Sequence, residues 1–454
     1  MPCNRQRREF LGGLSTALGF LALNGMAPLE RLAYAADNVG NEYKDRYFIF
    51  LNMYGGWDVL LSLDPRDPVL FPDKDKGLTL IEPGYIHQQV QPPGGNMLED
   101  TSLGLLGGFM GDMLNHTDKM AIVRGISMDT LAHATAYRRL VTGKAPVGTA
   151  YRGSSFDVWA TSLLGKNDIL PNISIRFGTA NLDQPGYASA LRVNSTQEIY
   201  QALDRISPYT DATEDAIQAF FNGQQDCPTA QQSLFKQKAT SSRNTITAVL
   251  EEGMADWFNL SANTPEMQAV RAHYDGFSTP AMSRVAAAAQ AIKNGVSRVV
   301  SADILNVSLD THTTVNSNGP RQLQGFNAMA RLIEDLSTSP HPSGEGTWFD
   351  RTTILLMSEF SRTPLINSQM GRDHWLMNAL CMAGGDIKGG NIVGASSDVG
   401  MRPQPVNLAT GDVDYATGEL IKPEHVYQTL LKGIGVSGDP ADLRVDPITA
   451  LLKS

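Results

Sequence analysis

Residues 352–375 read TTILLMSEFSRTPLINSQMGRDHW, an apolar run that ends in a carboxylate, followed by a polar loop that closes on an Asp-His pair. The uninterrupted run Ile354–Met357 predicts a buried strand of a parallel sheet covered on both faces. Glu359 would then stand where the strand ends. In open α/β sheets the carboxyl ends of the strands border the ligand crevice, so a functional site is expected there. The charged or titratable residues that follow Glu359 in this stretch are Arg362, Arg372, Asp373 and His374.

The amino-terminal segment predicts export. Arg7-Arg8-Glu9-Phe10-Leu11 is a twin-arginine pattern, an apolar stretch covers Leu14–Met26, and Ala33-Tyr34-Ala35 offers a cleavage site. We interpret residues 1–35 as a signal peptide that is removed and residues 36–454 as the mature domain. A soluble amphipathic helix is the alternative for this segment. The expected partner during export is the twin-arginine (Tat) translocase, and the expected location is the periplasm or the exterior.

Composition limits the kind of protein. The chain has 454 residues, 42% of them hydrophobic, which is enough for a substantial core. Its formal charge is −10, and loss of four arginines and two glutamates with the signal would make it −12, which argues against nucleic acid as a partner. No other segment has enough consecutive apolar residues to span a bilayer. Cys227 and Cys381 are too few for a disulfide framework and leave room for one bridge.

Two earlier strands also run into polar residues. Asp45–Met53 predicts a first strand, and the glycines of Gly55-Gly56-Trp57-Asp58 would let the backbone turn sharply and place Asp58 at the sheet edge. Met120–Ile126 predicts a second strand, followed by His133 near the start of a helix that Gly143 ends. A histidine satisfied in the core or at the surface is the simpler explanation of His133 when it is considered alone.

The second half of the chain predicts a helical insertion and then another strand of the sheet. Capped helical patterns over residues 195–280 indicate a helical cap. Val299–Leu309 returns to strand character and leads to Asp310-Thr311-His312. Residues two apart in an extended segment project to the same side, so Asp310 and His312 could hold one ion together. Pro423–Gly433 predicts a closing helix with proline in its first turn.

Acidic and imidazole groups thus follow four separate predicted strands. Mixed carboxylate and imidazole ligands suit Zn²⁺ or Mn²⁺, so we predict one or two divalent ions at the carboxyl edge of the sheet. Polar loop residues satisfied by caps and ion pairs are the alternative. The predicted ligands are Asp58, Asp310, His312, Glu359, Asp373 and His374.

In this order the motifs resemble a known exported family, the domain of unknown function 1501. The motifs are Arg-Arg-Glu-Phe-Leu, Gly-Gly-Trp-Asp58, His133 with Thr-Gly143, Asp310-Thr-His312, Ser-Glu359-Phe-Ser-Arg-Thr and Gly-Arg-Asp-His374-Trp. The resemblance covers nearly the whole mature chain and implies the alkaline phosphatase and sulfatase superfamily. It implies an α/β fold, a three-layer αβα sandwich with a mostly parallel central sheet and a helical insertion. It also implies that Asp58 is the first-strand ligand, that Asp310, His312 and His374 hold one ion, and that Glu359 is the carboxylate of a second.

Two positions depart from the superfamily pattern. His133 stands where sulfatases carry a Cys or Ser nucleophile, and Phe360 stands where the superfamily carries a histidine ligand. His133 could replace the missing ligand, attack the substrate, or act as a general acid or base. Thr130 and Thr135 are nearby hydroxyls that could attack instead.

The leading hypothesis is therefore a metal-dependent hydrolase of phosphate, sulfate or related esters, acting on a small anionic substrate. Arg362 or Arg372 would clamp the anion with its planar guanidinium, and His133 would take part in catalysis. The rival hypothesis is a non-catalytic envelope or binding protein that keeps the scaffold, because a fold does not fix a function. A redox enzyme ranks third, since no cofactor-binding motif is present.

Overall fold

The computed structural model describes residues 43–204 and 254–453, together with Thr213, Ala216 and Ala219. The predicted signal peptide and Cys227 lie outside the described residues. Of the predicted cap, residues 195–204 and 254–280 are described, and they form the helices Thr196–Leu203 and Pro265–His273 joined to short turns. Most of the remaining cap lies outside the described residues. In the part of the chain that the structure describes, no helix is long and apolar enough to cross a membrane.

Strands and helices alternate along most of the described chain. The strands are β1 Tyr47–Asn52, β2 Leu98–Thr101, β3 Gly104–Gly107, β4 Met120–Ser127, β5 Asn172–Ile175, β6 Leu191–Val193, β7 Val299–Asp303, β8 Thr352–Met357, β9 Ser361–Arg362, β10 His374–Trp375, β11 Met377–Ala383, β12 Asn391–Val393, β13 Pro405–Val406 and β14 Glu419–Leu420. The helices are Lys76–Thr79, His133–Thr142, Phe156–Leu164, Thr196–Leu203, Pro265–His273, Pro280–Lys293, Asn318–Thr338, Trp348–Arg351 and Pro423–Gly433.

Eight of these strands form the central sheet, in the order β12-β4-β11-β8-β1-β7-β5-β6. Strand β11 runs antiparallel to both of its neighbours, and the other pairs in the sheet are parallel. The predicted α/β class with a mostly parallel sheet is therefore confirmed. The strand predicted from the run Ile354–Met357 is β8, and it lies near the middle of the sheet between β11 and β1.

Helices cover both faces of the sheet. On β1, Ile49 and Leu51 belong to the core that includes residues of Pro280–Lys293 and Asn318–Thr338. Phe48 and Phe50 alternate with them and belong to the opposite core, built with residues of Phe156–Leu164 and Pro423–Gly433. Because successive side chains of a strand point to opposite faces, this alternation makes three layers, helices, sheet and helices.

One predicted element is shorter than expected. The strand predicted over Val299–Leu309 ends at Asp303, and Asp310 and His312 lie in the loop that follows. Ile304 and Leu309 are nevertheless fully buried. The apolar pattern beyond Asp303 thus reflects packing of a loop against the core and not strand pairing, because burial selects the same residue types in both cases.

Candidate metal centre

Three neighbouring strands of the sheet end side by side at the same edge. Asn52, the last residue of β1, pairs with Asp303 of β7 and with Met357 of β8. The chain after each strand therefore enters the same crevice, as expected for the carboxyl edge of a parallel sheet. The loop after β7 carries Asp310, and the turn after β8 carries Glu359.

Gly55 lets these segments approach each other closely. It has a φ of +117°, and a Cβ at this position would lie 2.3 Å from the backbone nitrogen of Leu309. Its own N–H donates to both carboxylate oxygens of Glu359, at 2.9 and 3.0 Å. A residue with a side chain would have to push the 308–310 loop away, so the glycine fixes the position of Asp310 relative to Glu359.

Three histidines converge on Asp310. Its Oδ1 lies 3.0 Å from Nε2 of His312 and 3.4 Å from Nε2 of His374, and its Oδ2 lies 3.3 Å from Nε2 of His133. The Nε2 atoms of His312 and His374 are 2.9 Å apart. One ligand atom from each of His133, Asp310 and His374 falls within 4.8 Å of the other two. Of the predicted metal ligands, the structure thus brings Asp310, His312 and His374 together, and it adds His133.

Each histidine is oriented through its other ring nitrogen. Nδ1 of His133 lies 2.6 Å from Oε1 of Glu359, and Nδ1 of His312 lies 2.7 Å from Oδ1 of Asp373. Nδ1 of His374 lies 2.6 Å from the carbonyl oxygen of Leu131. An oxygen acceptor at Nδ1 places the proton of a neutral imidazole there and leaves the Nε2 lone pair free, which is how metal-binding histidines are held in proteins.

The donor atoms fit a small divalent ion. A tetrahedral ion with bonds of about 2.0–2.1 Å keeps its ligand atoms about 3.3 Å apart. The three histidine contacts to Asp310 and the contact between His312 and His374 are 2.9–3.4 Å long, and the ligand atoms of His133, Asp310 and His374 lie within 4.8 Å of one another. Nε2 of His133 is buried and makes no hydrogen bond within the described part of the chain, although it lies 3.3 Å from Asp310. A buried nitrogen without a hydrogen-bond partner is costly, and coordination of a cation would satisfy it.

The charges of the cluster also suit a cation. Burial raises the pKa of Asp310, but the hydrogen bond and charge of Arg362 outweigh it and hold that pKa at about 2, so the carboxylate is ionised. Burial lowers the pKa of His374, which favours the neutral imidazole needed for coordination. The hydrogen bond from His312 lowers the pKa of Asp373. An anionic carboxylate beside neutral imidazoles is a metal-binding state at neutral pH.

Arg362 is part of the framework of this cluster. Its side chain has no exposed surface, and its Nη2 donates to Oδ1 of Asp310 at 2.7 Å. Its Nε donates to the carbonyl oxygen of Gly56 at 2.9 Å, and its remaining hydrogen bonds go to the carbonyl oxygens of Gly55 and Arg372. Arg362 therefore ties the glycine turn to Asp310, and its buried guanidinium is engaged by protein oxygens.

Asp58 and Arg372 are not brought to the cluster. Nε of Arg372 lies 2.9 Å from Oδ2 of Asp58, and both side chains are almost completely buried. The other nitrogens of Arg372 donate to the carbonyl oxygens of Glu82, Pro83, Thr363 and Pro364. Oδ1 of Asp58 accepts the N–H of Leu60 and caps a short turn. As a correction to the predicted roles, we assign Asp58 and Arg372 to the framework, because they form a buried ion pair with each other and both terminal nitrogens of Arg372 are bonded to carbonyl oxygens.

Glu359 and Asp373 are linked to the cluster by hydrogen bonds from the Nδ1 atoms of His133 and His312. The oxygens of Glu359 are taken up by Gly55 and His133, and its side chain is completely buried. Asp373 contacts the outer nitrogen of His312 and is about half exposed. Both carboxylates were predicted as ligands, and the structure places each of them behind a histidine that points at Asp310. In this position a carboxylate raises the basicity of the imidazole and fixes its orientation.

Asp303 is a residue of the crevice that the sequence analysis missed. Burial raises its pKa to about 7, and the charge of Glu359 adds to this effect. Its main-chain carbonyl accepts a hydrogen bond from Arg284 at 2.7 Å. The sequence did contain a signal for Asp303, because it is the last residue of the run VVSAD. A carboxylate at the end of a buried strand is the same pattern that pointed to Glu359 after β8.

Glu359→Gln should weaken metal binding without unfolding the protein. The amide can still accept from Gly55, but it cannot offer His133 the same anionic partner, so the imidazole loses basicity and its fixed orientation. Loss of such a partner typically costs about 10–100-fold in metal affinity. Competitive titration of the protein with Zn²⁺ and a chromophoric chelator measures this. Unchanged affinity would show that His133 does not coordinate the ion.

Asp303→Asn should change how stability depends on pH. An aspartate of the unfolded chain ionises near pH 4, whereas the pKa in the folded protein is about 7. Between these values the folded state keeps a proton that the unfolded state has lost, so stability falls as the pH rises. We expect the variant to gain about 2–4 kcal/mol relative to wild type between about pH 4.5 and pH 8.

Urea unfolding of the chelator-treated proteins at several pH values tests this expectation. Asp112→Asn is the matched control, because it removes a carboxylate that pairs with Arg331 at the surface. Its stability relative to wild type should change little over the same range. A constant difference between Asp303→Asn and wild type would show that the carboxyl group titrates normally.

Fold and site together define an α/β protein with a histidine and aspartate centre at the carboxyl edge of a mostly parallel sheet. Residues 45–413 match the model of a family described as a protein of unknown function, DUF1501. The chain belongs to this family, and the predicted family membership is confirmed. No curated protein matches the chain.

Solved structures of the alkaline phosphatase and sulfatase kind are similar to the chain. One is the lipoteichoic acid synthase LtaP from Listeria monocytogenes, with 8% identity, a TM-score of 0.36, and coverage of 92% of this chain and 80% of that chain. Another is a putative sulfatase from Bacteroides thetaiotaomicron, with 9% identity, a TM-score of 0.37, and coverage of 90% and 75%. A third is an alkaline phosphatase superfamily protein from Vibrio parahaemolyticus, with 9% identity, a TM-score of 0.36, and coverage of 94% and 79%.

Proposed function

We propose that this protein is an exported, metal-dependent hydrolase of phosphate, sulfate or related esters. The observation that carries the proposal is the common arrangement of His133, His312 and His374. Each has an oxygen acceptor at Nδ1 and directs Nε2 at Asp310. Three imidazoles and one carboxylate are the ligand types of hydrolytic Zn²⁺ and Mn²⁺ centres.

In this proposal His133, Asp310, His312 and His374 hold one ion, Zn²⁺ or Mn²⁺. When bound, the ion supplies Lewis-acid polarisation of an ester oxygen. The residues themselves fix the geometry, since Glu359, Asp373 and the carbonyl of Leu131 orient the rings. Of the three roles considered for His133, which were metal ligand, nucleophile and general acid or base, we propose the first. His133 would then replace the histidine ligand that is missing at Phe360.

The exposure of the cluster supports access by a substrate. The side chain of His312 is 41% exposed and that of Asp310 is 37% exposed, whereas Glu359 is fully buried. One side of the cluster therefore faces solvent while the other is fixed in the core. Catalytic metal sites keep an open position of this kind, and purely structural sites are closed.

Export is the second part of the proposal. The twin-arginine pattern at residues 7–11 and the cleavage site at residues 33–35 support delivery by the Tat translocase to the periplasm or the exterior. This route carries folded proteins, so a metal could be loaded before export. A small anionic ester or an envelope component is the proposed partner there.

The test compares chelated and reloaded protein. Purified mature protein is analysed for metal, stripped, reloaded with Zn²⁺ or Mn²⁺, and assayed with p-nitrophenyl phosphate, bis(p-nitrophenyl) phosphate and p-nitrophenyl sulfate. We expect turnover of at least one ester by the reloaded protein and none by the stripped protein or by His374→Ala. Bound metal with no turnover of any ester would favour the non-catalytic binding protein. Absence of stoichiometric metal would contradict both functions.

A further inference from the structure

The row of strand ends at the carboxyl edge continues past Asp303 to an arginine that the proposed mechanism does not use. Arg176 is the first residue after β5. Ile175 of β5 pairs with Ala302 of β7, so the next residue, Arg176, lies beside Asp303 at the carboxyl edge. Its N–H donates to the carbonyl of Val193 at 2.8 Å, which anchors the backbone to β6. The arginine therefore stands in the same row of strand ends that leads to the metal centre.

The backbone of Arg176 is strained. Its φ is +58°, in the left-handed region that residues with a Cβ rarely adopt. A glycine or asparagine would occupy this conformation at lower cost. Strained backbone of this kind concentrates at ligand-binding and catalytic positions, where a particular side chain is needed in a particular place. The side chain of Arg176 is thus a candidate for a functional group.

Among the described residues, the guanidinium of Arg176 has no hydrogen-bond or ion-pair partner, unlike those of Arg284, Arg362 and Arg372. Arg284 donates to the carbonyls of Asp303 and Leu305 and to Asn306. Arg362 and Arg372 are buried and bound to carbonyl and carboxylate oxygens. Within residues 43–204 and 254–453, the exposed side chain of Arg176 makes no hydrogen bond or ion pair. It is therefore available to bind an anion that enters the crevice.

The electrostatic surroundings favour such an anion. The charge of Arg176 acts on both Asp303 and Arg284, so these groups lie close to it. Burial, with the charge of Arg176 added, lowers the pKa of Arg284, as expected when two cations lie near each other. Asp303 also acts on both arginines, but burial raises its pKa to about 7, so it offsets this repulsion only in part and an acidic group bound beside Arg176 would reduce it further.

We propose that Arg176 binds a second acidic group of the substrate, at the end of the crevice away from the metal centre. The inference rests on the proposed function and narrows the substrate class to esters that carry a further phosphate, sulfate or carboxylate. In the sheet order, β5 and β8 are separated by β7 and β1. Their backbones are therefore about 14 Å apart, a gap that a long arginine side chain and a substrate with two acidic groups can span.

Alkane bisphosphonates of increasing linker length test the proposal, with methylphosphonate as the probe for the metal centre alone. Binding of each probe to Zn²⁺-loaded protein is measured by calorimetry. We expect wild type to bind one bisphosphonate more tightly than methylphosphonate. Arg176→Ala should weaken that bisphosphonate by about 10–100-fold and leave methylphosphonate within about twofold. Arg176→Lys should restore part of the difference.

Two further variants separate binding from folding and from net charge. Arg176→Gly removes the guanidinium and relieves the backbone strain, so it should lose the bisphosphonate preference while its thermal midpoint stays equal or rises. Lys388→Ala removes an exposed cation after β11, at the opposite edge of the sheet, and should leave both affinities unchanged.

Equal effects of Arg176→Ala on both probes, or none on either, would overturn the inference while leaving the hydrolase proposal intact. Failure of the metal-loaded wild type to bind methylphosphonate would instead count against the proposed function, and this inference would fall with it.

Discussion

Asp310→Asn is expected to abolish stoichiometric metal binding and, with it, hydrolysis of any ester that the wild-type protein turns over. Asp310 is the residue on which His133, His312 and His374 converge, and the hydrogen bond and charge of Arg362 keep it ionised. Asparagine preserves the shape and an acceptor oxygen but removes the anionic ligand. The loss of affinity should exceed the about 10–100-fold that is typical for residues behind the ligands.

Metal content after dialysis and activity per folded molecule measure this effect. Asp112→Asn is a matched control, because the two aspartates have similar surroundings. The Asp112 side chain is 38% exposed and pairs with Arg331, and the Asp310 side chain is 37% exposed and pairs with Arg362. The control should keep both metal and activity. Retention of wild-type metal affinity by Asp310→Asn would show that the ion, if any, is held elsewhere.

Arg372→Met is expected to lower the free energy of unfolding by about 3–5 kcal/mol. The substitution leaves the Asp58 carboxylate buried without its cation, and it removes the donors to four carbonyl oxygens. Burial already raises the pKa of Asp58, and the charge of Arg372 opposes that rise. Without the arginine, the carboxyl group must bury its charge or take up a proton.

Denaturant unfolding measures the loss, and Arg402→Met provides the control. Arg402 is exposed, and its guanidinium makes no ion pair within the described ranges, so its replacement should change stability by less than about 0.5 kcal/mol. If Arg372 were a substrate clamp, its variant would instead remain stable and raise the KM for anionic esters. A framework role predicts a lower free energy of unfolding, and a clamp role predicts a higher KM. Measuring both quantities for Arg372→Met therefore separates the two roles.

Much of the framework could be predicted from apolar periodicity. β8 and the helix Pro423–Gly433 have the predicted bounds or nearly so, because an apolar run between polar flanks and a proline at a helix start are strong local signals. The strand predicted to reach Leu309 stopped at Asp303, since buried loop residues carry the same apolar character as strand residues. The direction of the chain after a strand is set by long-range packing, which one sequence does not display.

The lack of long-range packing information in one sequence also explains why some site residues were predicted correctly and others were not. Asp310, His312 and His374 meet because their loops pack on Gly55 and on the β9–β10 hairpin, and their proximity in the sequence to strand ends was a usable signal. Asp58 follows a strand just as closely, yet it turns back to cap its own chain and to pair with Arg372. Whether an arginine is free or saturated depends on the carbonyl groups around it. Arg362 and Arg176 therefore look alike in the sequence but differ in the structure.

The ring of His374 is held by a main-chain oxygen, the carbonyl of Leu131, and residue Leu131 is itself 43% exposed. Every residue type has a main-chain carbonyl, so a substitution at position 131 keeps this oxygen. Substitutions there can therefore change the surface of the protein and still leave the hydrogen bond to His374 in place. Insertions, deletions and prolines nearby would instead move the peptide group and tilt the ring. Homologous chains should therefore vary in residue type at position 131 and stay constant in the length of the segment 129–132.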